Sequence, residues 1–528
     1  MSLSRAEIGA AAVFAVAAGF ACALGLFGLM GLAAIVAAIL LGWFVFQRPE
    51  LALKGAFFLL LLAQIKFRSR DATAALSGDI DSQVAVELAL YALVAGISMV
   101  NFLPILKQKL RPSLNERMLL AYVAIALLSI GWSNAPKLTL VRGAELAILY
   151  LFVFCAVRRL GPRGLLETFG GTLLITVLVC AGLAVVFPWA SGTRISHELT
   201  EFSWDRQARF TWFAMQPIGA GAETGAAIVF LACDALATRG GWRRRLLGLP
   251  VWAYLIPLVV ILAATRARGP LIATLAALLV ILLRRYSQMR IISWAVLLTV
   301  LVAGLAIMNV GTNFMTAADD LAGNPNSVML FLMRGQSAGE FYSMTGRIGL
   351  WGAVFSLVTA QPILGHGYVG ARALLLEILP WAGEAHNALA ETLLELGLAG
   401  FVVVWIPLIR TVAVSLNRSN PEYGDWSSST ILGLLVFLLV DGISDTSFTG
   451  AVSYMPVMFM VAMIACRDVP AYARQFVAQT HQGRATPANG ALPRRRLRAD
   501  RRISGIEATR GASCSRGSMQ FSGSIQRQ

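Results

Sequence analysis

Apolar runs of about 15–22 residues recur from the N-terminus to about residue 466, each long or nearly long enough to cross a bilayer as a helix. No other feature constrains the fold as strongly. A chain of this kind cannot gather its apolar residues into one water-excluded core; it packs helices against one another with lipid as the outer solvent. Composition agrees, with 57% hydrophobic and only 14% charged residues, against about 25% charged in a soluble domain. The stretch "AAAVFAVAAGFACALGLFGLMGLAAIVAAILLGWFVF" is too long for a signal-peptide core and reads as two spans. Nothing alternates in the manner of a barrel strand, so an all-α polytopic membrane protein with about 12–14 transmembrane helices is expected.

The expected spans lie near 8–27, 29–46, 51–65, 83–105, 117–132, 138–157, 164–187, 215–237, 249–265, 269–284, 291–310, 388–412, 428–446 and 450–466. Basic loops orient them. "KQKLRPSLNER" (107–117), "RRLGPR" (158–163), "RGGWRRR" (239–245) and "RRYSQMR" (284–290) alternate with poorly charged connections and belong in the cytoplasm. Both termini then fall inside, which an even number of spans satisfies. "KFRSR" (66–70) lands on the opposite side, so the span at 51–65 is the weakest of the set. The reading divides the chain into a membrane domain, 1–466, and a basic, disordered cytoplasmic tail, 467–528. About nine of the +16 formal charges sit in that tail, so the charge gives no reason to expect nucleic acid. The tail either lies against anionic headgroups or is simply solvated. The six cysteines fall in apolar segments or in the tail, and no disulfide is expected.

Two outer segments are long, about 188–214 and about 311–387. Within the second, "TGRIGLWGAVFSLV" (345–358) puts Ile348, Trp351, Phe355 and Val358 on one helical face, with Thr345 as N-cap. A short amphipathic helix on the outer membrane surface is expected there, ended by Gln361-Pro362. "ALLLEIL" (373–379) reads as a second short helix. Between them "ILGHGYVGAR" contains G-x-G-x-x-G, the spacing of a dinucleotide-binding turn. That turn needs a preceding strand inside a βαβ unit, and none is in reach, so these glycines are expected to make a tight connection between surface helices.

Charged groups near lipid are costly, and their placement carries information. His197, His366 and His386 fall in or beside the long outer segments, as do Arg194, Arg206, Arg209, Arg334, Arg347 and Arg372; Arg266 and Arg268 occupy a tight outer turn. Arginine grips phosphate oxygens bidentately at any relevant pH, and histidine can take a proton from a hydroxyl. Each arginine alone reads equally as a headgroup contact; the gathering on one face suits an anionic substrate at the membrane surface. No H-E-x-x-H, paired cysteines or i, i+4 histidines point to a metal. Arg142 and Glu145 at i, i+3 suit a buried structural pair as well as a functional one, Asp441 and Asp445 stand at i, i+4, and Glu87 and Glu223 stand isolated.

"SMTGRIGLWGAVFSLVTAQPILGHGYVGAR" followed by "EAHNALAETLLELGLAGFVVV" resembles the signature block of the bacterial O-antigen ligase/polymerase superfamily: T-G-R-x-x-x-W, P-[LI]-x-G-x-G, then H-N-x-x-L. Upstream, "TRARGPLIA" resembles the family's S-R-G turn, with Ala267 where serine is usual, and "RFTWFAMQP" resembles the segment opened by a family arginine, without the P-N that often follows. "SNAPKLTLVRG" (133–143) fits the S-x-x-P opening of a span. The resemblance implies a metal-independent, cofactor-free membrane glycosyltransferase of the bacterial inner membrane. Its donor would be a glycan on undecaprenyl pyrophosphate, met at the periplasmic face. It further implies that Arg268 and Arg209 hold the pyrophosphate, Arg347 supports the donor or the loop, and His386 activates the acceptor hydroxyl. The acceptor stays open between lipid A-core, another lipid-linked saccharide and a protein hydroxyl, with a saccharide favoured. A polysaccharide or lipid transporter is the rival from another class; it predicts midplane charges and an internal repeat, and no repeat is visible.

Overall fold

A computed structural model describes residues 47–65, 82–107, 112–192, 209–237, 245–246, 249–284, 292, 295, 347–379, 382–417 and 425–466. The chain divides into two units, 1–468 and 469–528, and all described residues lie in the first. The spans expected at 8–27 and 29–46, almost all of that at 291–310, and the tail lie outside the described residues.

The elements follow the apolar runs. In chain order they are α1 (Pro49–Ala63), α2 (Ser82–Leu106), α3 (Leu114–Leu128) with a 3₁₀ turn at Ser129–Gly131, α4 (Pro136–Val186), α5 (Pro217–Ala237), α6 (Val251–Thr265) and α7 (Arg268–Arg284). Then come α8 (Arg347–Ala360), α9 (Ala371–Ile378), α10 (Ala388–Asn417), α11 (Asp425–Asp441) and α12 (Tyr454–Ala465). The regular β-structure among the described residues is one two-residue hairpin before α6, β1 (Arg245–Leu246) with β2 (Leu249–Pro250). Five described helices are long and apolar enough to cross a membrane: those over 83–106, 114–131, 136–186, 217–236 and 388–416. The protein is therefore an all-α polytopic membrane protein.

Local chemistry sets the ends. Ser113 and Glu116 form a reciprocal capping box at α3, and prolines open α1 and α4, where a missing N–H costs nothing. The 51 residues of α4 would extend about 76 Å as one rod, more than twice the hydrocarbon thickness. Gly161 breaks it at φ 73°, just before Pro162, so it comprises the two spans expected at 138–157 and 164–187. α1 stops at 15 residues, short of a full crossing, in keeping with the weakness of that span in the sequence.

Packing follows side-chain size. Gly170 faces the Phe230 ring, Gly225 faces Thr274 and Phe437, and Gly433 faces Ile281 and Val229, so α4, α5, α7 and α11 approach closely. α12 is apolar all round and buried at every residue, so it lies inside the helix packing rather than at its lipid face. Val185, Ile256 and Val260 are exposed and stand where lipid would be. At one end of the bundle Asn115 Nδ2 donates to Thr411 Oγ1 (2.9 Å) and the Met463 carbonyl (3.0 Å), joining α3, α10 and α12.

The surface helix follows the expected face in part. α8 buries Trp351 and packs Val358 against the same small core, but it also buries Leu350 and Val354 and leaves Phe355 44% exposed. The Trp351 indole N–H bonds the Ala385 carbonyl at 3.0 Å and helps fix the helix's rotation.

Candidate active site

Gln361-Pro362 ends α8, and the chain then runs along a break in α10. Gly397, at φ 59°, interrupts that helix and leaves carbonyls and amides of both strands of chain facing each other. His366 N–H bonds the Leu394 carbonyl (2.9 Å), Gly367 N–H the Glu395 carbonyl (2.8 Å) and Leu398 N–H the Pro362 carbonyl (2.9 Å). A Cβ at Gly365 would strike the Glu395 and Leu396 backbone, and one at Gly367 or Gly370 would strike Ser133. Gly365 and Gly367 also have φ of 65° and 93°, which side chains rarely adopt. The G-x-G-x-x-G is thus a backbone-packing device between two helices. His366 is buried, with Nε2 3.0 Å from the Leu357 carbonyl, and belongs to that scaffold. His197, Arg194, Arg206 and Arg334 lie outside the described residues.

His386 occupies the turn that opens α10. Asn387 caps the helix, its Oδ1 accepting from Ala390 N–H (2.9 Å), while its Nδ2 donates to the Ile443 carbonyl (2.9 Å). Ala388 N–H bonds the Gly442 carbonyl (2.8 Å). The start of α10 is thereby stitched to the turn that follows α11. His386 sits at φ 50°, a left-handed conformation that costs a non-glycine residue about 1–2 kcal/mol and persists only where its surroundings enforce it.

That turn brings carboxylates to the imidazole. Asp445 Oδ1 lies 3.8 Å from His386 Nδ1, an ion-pair distance rather than a hydrogen bond, with each side chain about a quarter exposed (26% and 25%). Asp445 Oδ1 accepts from Thr446 N–H (2.8 Å), the Thr446 hydroxyl donates to Glu384 Oε2 (3.0 Å), and the Ser447 hydroxyl donates to Asp441 Oδ2 (2.9 Å). Burial works to raise the Asp445 carboxyl; His386, Arg347 and the Thr446 amide outweigh it and hold the group below the usual aspartate range.

The arginines approach from three elements. Arg347 opens α8; burial lowers its guanidinium, and the charges of Asp445 and Asp441 oppose that. Neither carboxylate comes within 4.0 Å of it to form an ion pair. Arg268 opens α7, and a Cβ on the next residue, Gly269, would lie 2.5 Å from Ser444 Oγ and 3.2 Å from Asp441 Oδ1. The first turn of α7 therefore rests on the segment that holds Asp445. Arg209 Nε donates to the Thr265 carbonyl (2.9 Å), next to Arg266, which ends α6 in a left-handed conformation. The fold thus sets Arg347 and the first turn of α7, which Arg268 opens, beside the Asp441–Asp445 turn, and ties Arg209 to the end of α6.

Sequence reasoning left Asp445 and Glu384 unassigned. Asp441 and Asp445 are spaced as a helical pair, yet α11 ends at Asp441 and Asp445 stands in the turn beyond, against a histidine 59 positions earlier. Glu384, His386 and Asp445 place one donor atom each within 4.8 Å of one another, a set chemically able to hold a divalent cation. Arg347 beside it works against a second positive charge, and Asp445 Oδ1 and Glu384 Oε2 already accept hydrogen bonds. Glu87 is not isolated: it joins Arg142 at 2.9 Å, with Glu145 at 2.8 Å. Glu223 remains fully buried on α5, and neither of its carboxyl oxygens has a hydrogen-bond partner.

Comparison with known families agrees with the motifs. Residues 253–405 match the family described as O-antigen ligase, a stretch running from α6 through the Arg266–Arg268 turn, α8, the glycine loop and His386 into α10. A search among curated proteins gives no significant match. The motifs and the all-helical membrane fold agree with this match, which makes residues 253–405 similar to the O-antigen ligase family.

Proposed function

We propose that the protein transfers a glycan from undecaprenyl pyrophosphate to a saccharide acceptor at the periplasmic face of the bacterial inner membrane, as an O-antigen ligase or an O-antigen or exopolysaccharide polymerase. The family supports glycan transfer of the ligase/polymerase type and a lipid-linked glycan substrate in general. The observation that carries the finer reading is the meeting of His386–Asp445 with Arg347 and the Arg268 turn at one end of the bundle.

The reaction needs a group that takes a proton and a group that tolerates a departing anion. A proton on His386 Nδ1, facing Asp445, leaves the Nε2 lone pair to receive the acceptor's hydroxyl proton. The acceptor oxygen then bonds the anomeric carbon, and the bond from that carbon to the pyrophosphate oxygen breaks with its electron pair on the leaving group. Arg268, Arg209 and Arg347 hold that group and stabilise its growing charge. The arginines supply this stabilisation themselves, so the reading is of a metal-independent enzyme with both chain termini in the cytoplasm.

The test is the surface glycan profile of a deletion strain complemented with wild type, His386→Ala or Arg268→Ala, with lipid-linked intermediates extracted in parallel. Loss of long glycan with accumulating undecaprenyl-linked sugars, rescued only by wild type, supports transfer. Accumulated single repeats then identify a polymerase, and accumulated long lipid-linked chains a ligase. Full rescue by both variants at normal expression overturns the proposal.

A further inference from the structure

The strained backbone at His386 has to be held by something, and the bonds that hold it lead to two side chains with no part in the transfer chemistry. The residue before it, Ala385, is fully buried and gripped at both ends of its peptide groups. Its N–H donates to Glu391 Oε2 at 2.6 Å, and its carbonyl accepts from Trp351 Nε1 at 3.0 Å. The carbonyl belongs to the peptide plane that enters His386, so Trp351 fixes the plane about which φ of His386 is measured. On the far side, the Asn387 side chain bonds the Ile443 carbonyl and Ala388 N–H bonds the Gly442 carbonyl, which anchors the chain just after the histidine. With the chain anchored on both sides, a change of backbone setting at His386 strains or breaks these bonds.

The geometry points to Trp351 and Glu391 as positioning residues for His386; this rests on the reading of His386 as the base. Both are buried, at 2% and 3% exposure, and both act through the Ala385 backbone. Trp351 stands four residues after Arg347 on α8, on the same side of the helix. One rigid element therefore carries the arginine of the leaving-group side and the donor that sets the base, which fixes the spacing between the two halves of the reaction. One turn further along α10, the Glu395 carbonyl receives Gly367 N–H. The histidine turn and the glycine loop are thus held by neighbouring residues of the same helix.

The experiment compares wild type with Trp351→Phe, Glu391→Leu, Glu391→Gln and His386→Ala, each reconstituted in lipid nanodiscs. A membrane extract of the deletion strain supplies the lipid-linked glycan and the acceptor. Phe keeps the ring and loses the indole N–H; Gln keeps an oxygen to accept from Ala385; Leu keeps neither oxygen. Trp351→Phe and Glu391→Leu are expected to lower the rate at saturating extract about 10–100-fold, because displacement of a reacting group by about 1 Å costs on that order. The half-saturating amount of extract should stay within about twofold, and Glu391→Gln should recover most of the rate. A wild-type rate for Trp351→Phe, or a loss confined to half-saturation, overturns the positioning role; should Glu391→Leu fail to fold, Trp351→Phe decides. An active His386→Ala instead overturns the assignment of the base, a separate result.

Discussion

At Arg142 and at Arg347 the fold places a guanidinium among two carboxylates, and it uses the two differently. Arg142 is consumed: its Nη1 reaches Glu87 at 2.9 Å and Glu145 at 2.8 Å, and nearby Tyr91 accepts from Gln64 at 2.7 Å. These contacts weld α2 to α4 within the bundle. Arg347 has Asp441 and Asp445 beside it, but the first is occupied by Ser447 and the second faces His386 and Thr446. No ion pair shorter than 4.0 Å ties Arg347 to either. A part-buried charge with its partners in contact is architecture; a part-buried charge whose neighbours are engaged elsewhere is a candidate to hold a ligand.

The largest expected effect lies on the reactive side. His386→Ala should lower transfer about 10²–10⁴-fold while leaving the protein folded, as read by glycan transfer against detergent-solubilised thermal unfolding. Arg347→Ala sharpens the comparison: it should cost about 10²–10³-fold in transfer with little change in unfolding midpoint. Arg142→Ala should do the reverse. It leaves Glu87 and Glu145 without their cation and should destabilise by about 3–5 kcal/mol, with turnover per folded molecule near wild type. The comparison breaks if Arg347→Ala unfolds the protein as readily as Arg142→Ala, or if Arg142→Ala abolishes turnover in folded protein.

Smaller effects follow from Asp445. Its folded-state pKa lies below the 3.8 of a free aspartate, so its ionised form is favoured by folding. That stability is present above pH 3.8 and is lost as pH falls through the lower, folded value. Asp445→Asn should therefore be less stable than wild type at neutral pH, with the gap closing only in that acid range; a gap constant down to the most acid pH would show that the charge is not its source. The smallest expected effect is none: treatment with a chelator should leave the transfer rate unchanged, whereas a loss restored by a divalent cation would assign Glu384, His386 and Asp445 as its ligands.

The fold was open to sequence reading where hydropathy alone decides. The five long apolar helices over 83–106, 114–131, 136–186, 217–236 and 388–416 could be placed because lipid imposes length and composition on any segment that crosses it. The break in α4 was visible in Gly161-Pro162, and Arg142 with Glu145 in their spacing. Long-range partners left no such trace. Nothing in the spacing of Asp445 or Glu87 names His386 or Arg142 as its neighbour, since those contacts arise only when turns from separate helices meet. The face of α8 was legible only in part for a related reason: Leu350 and Val354 pack beside Trp351 while Phe355 stays exposed, and an apolar helix has several such faces to offer its neighbours. His386 was singled out through a motif, and the arginines through their crowding on one face.

The glycine loop packed against α10 limits how a protein of this build can be diversified. At Gly365 and Gly397 an added Cβ meets the backbone of the opposite segment, and at Gly367 and Gly370 it meets Ser133, so none of the four positions has room for a side chain. The contact between the glycine loop and the break in α10 is therefore close-packed main chain, a surface with no side chains to exchange. Attempts to retarget acceptor use should leave that contact untouched and vary the side chains around His386 instead.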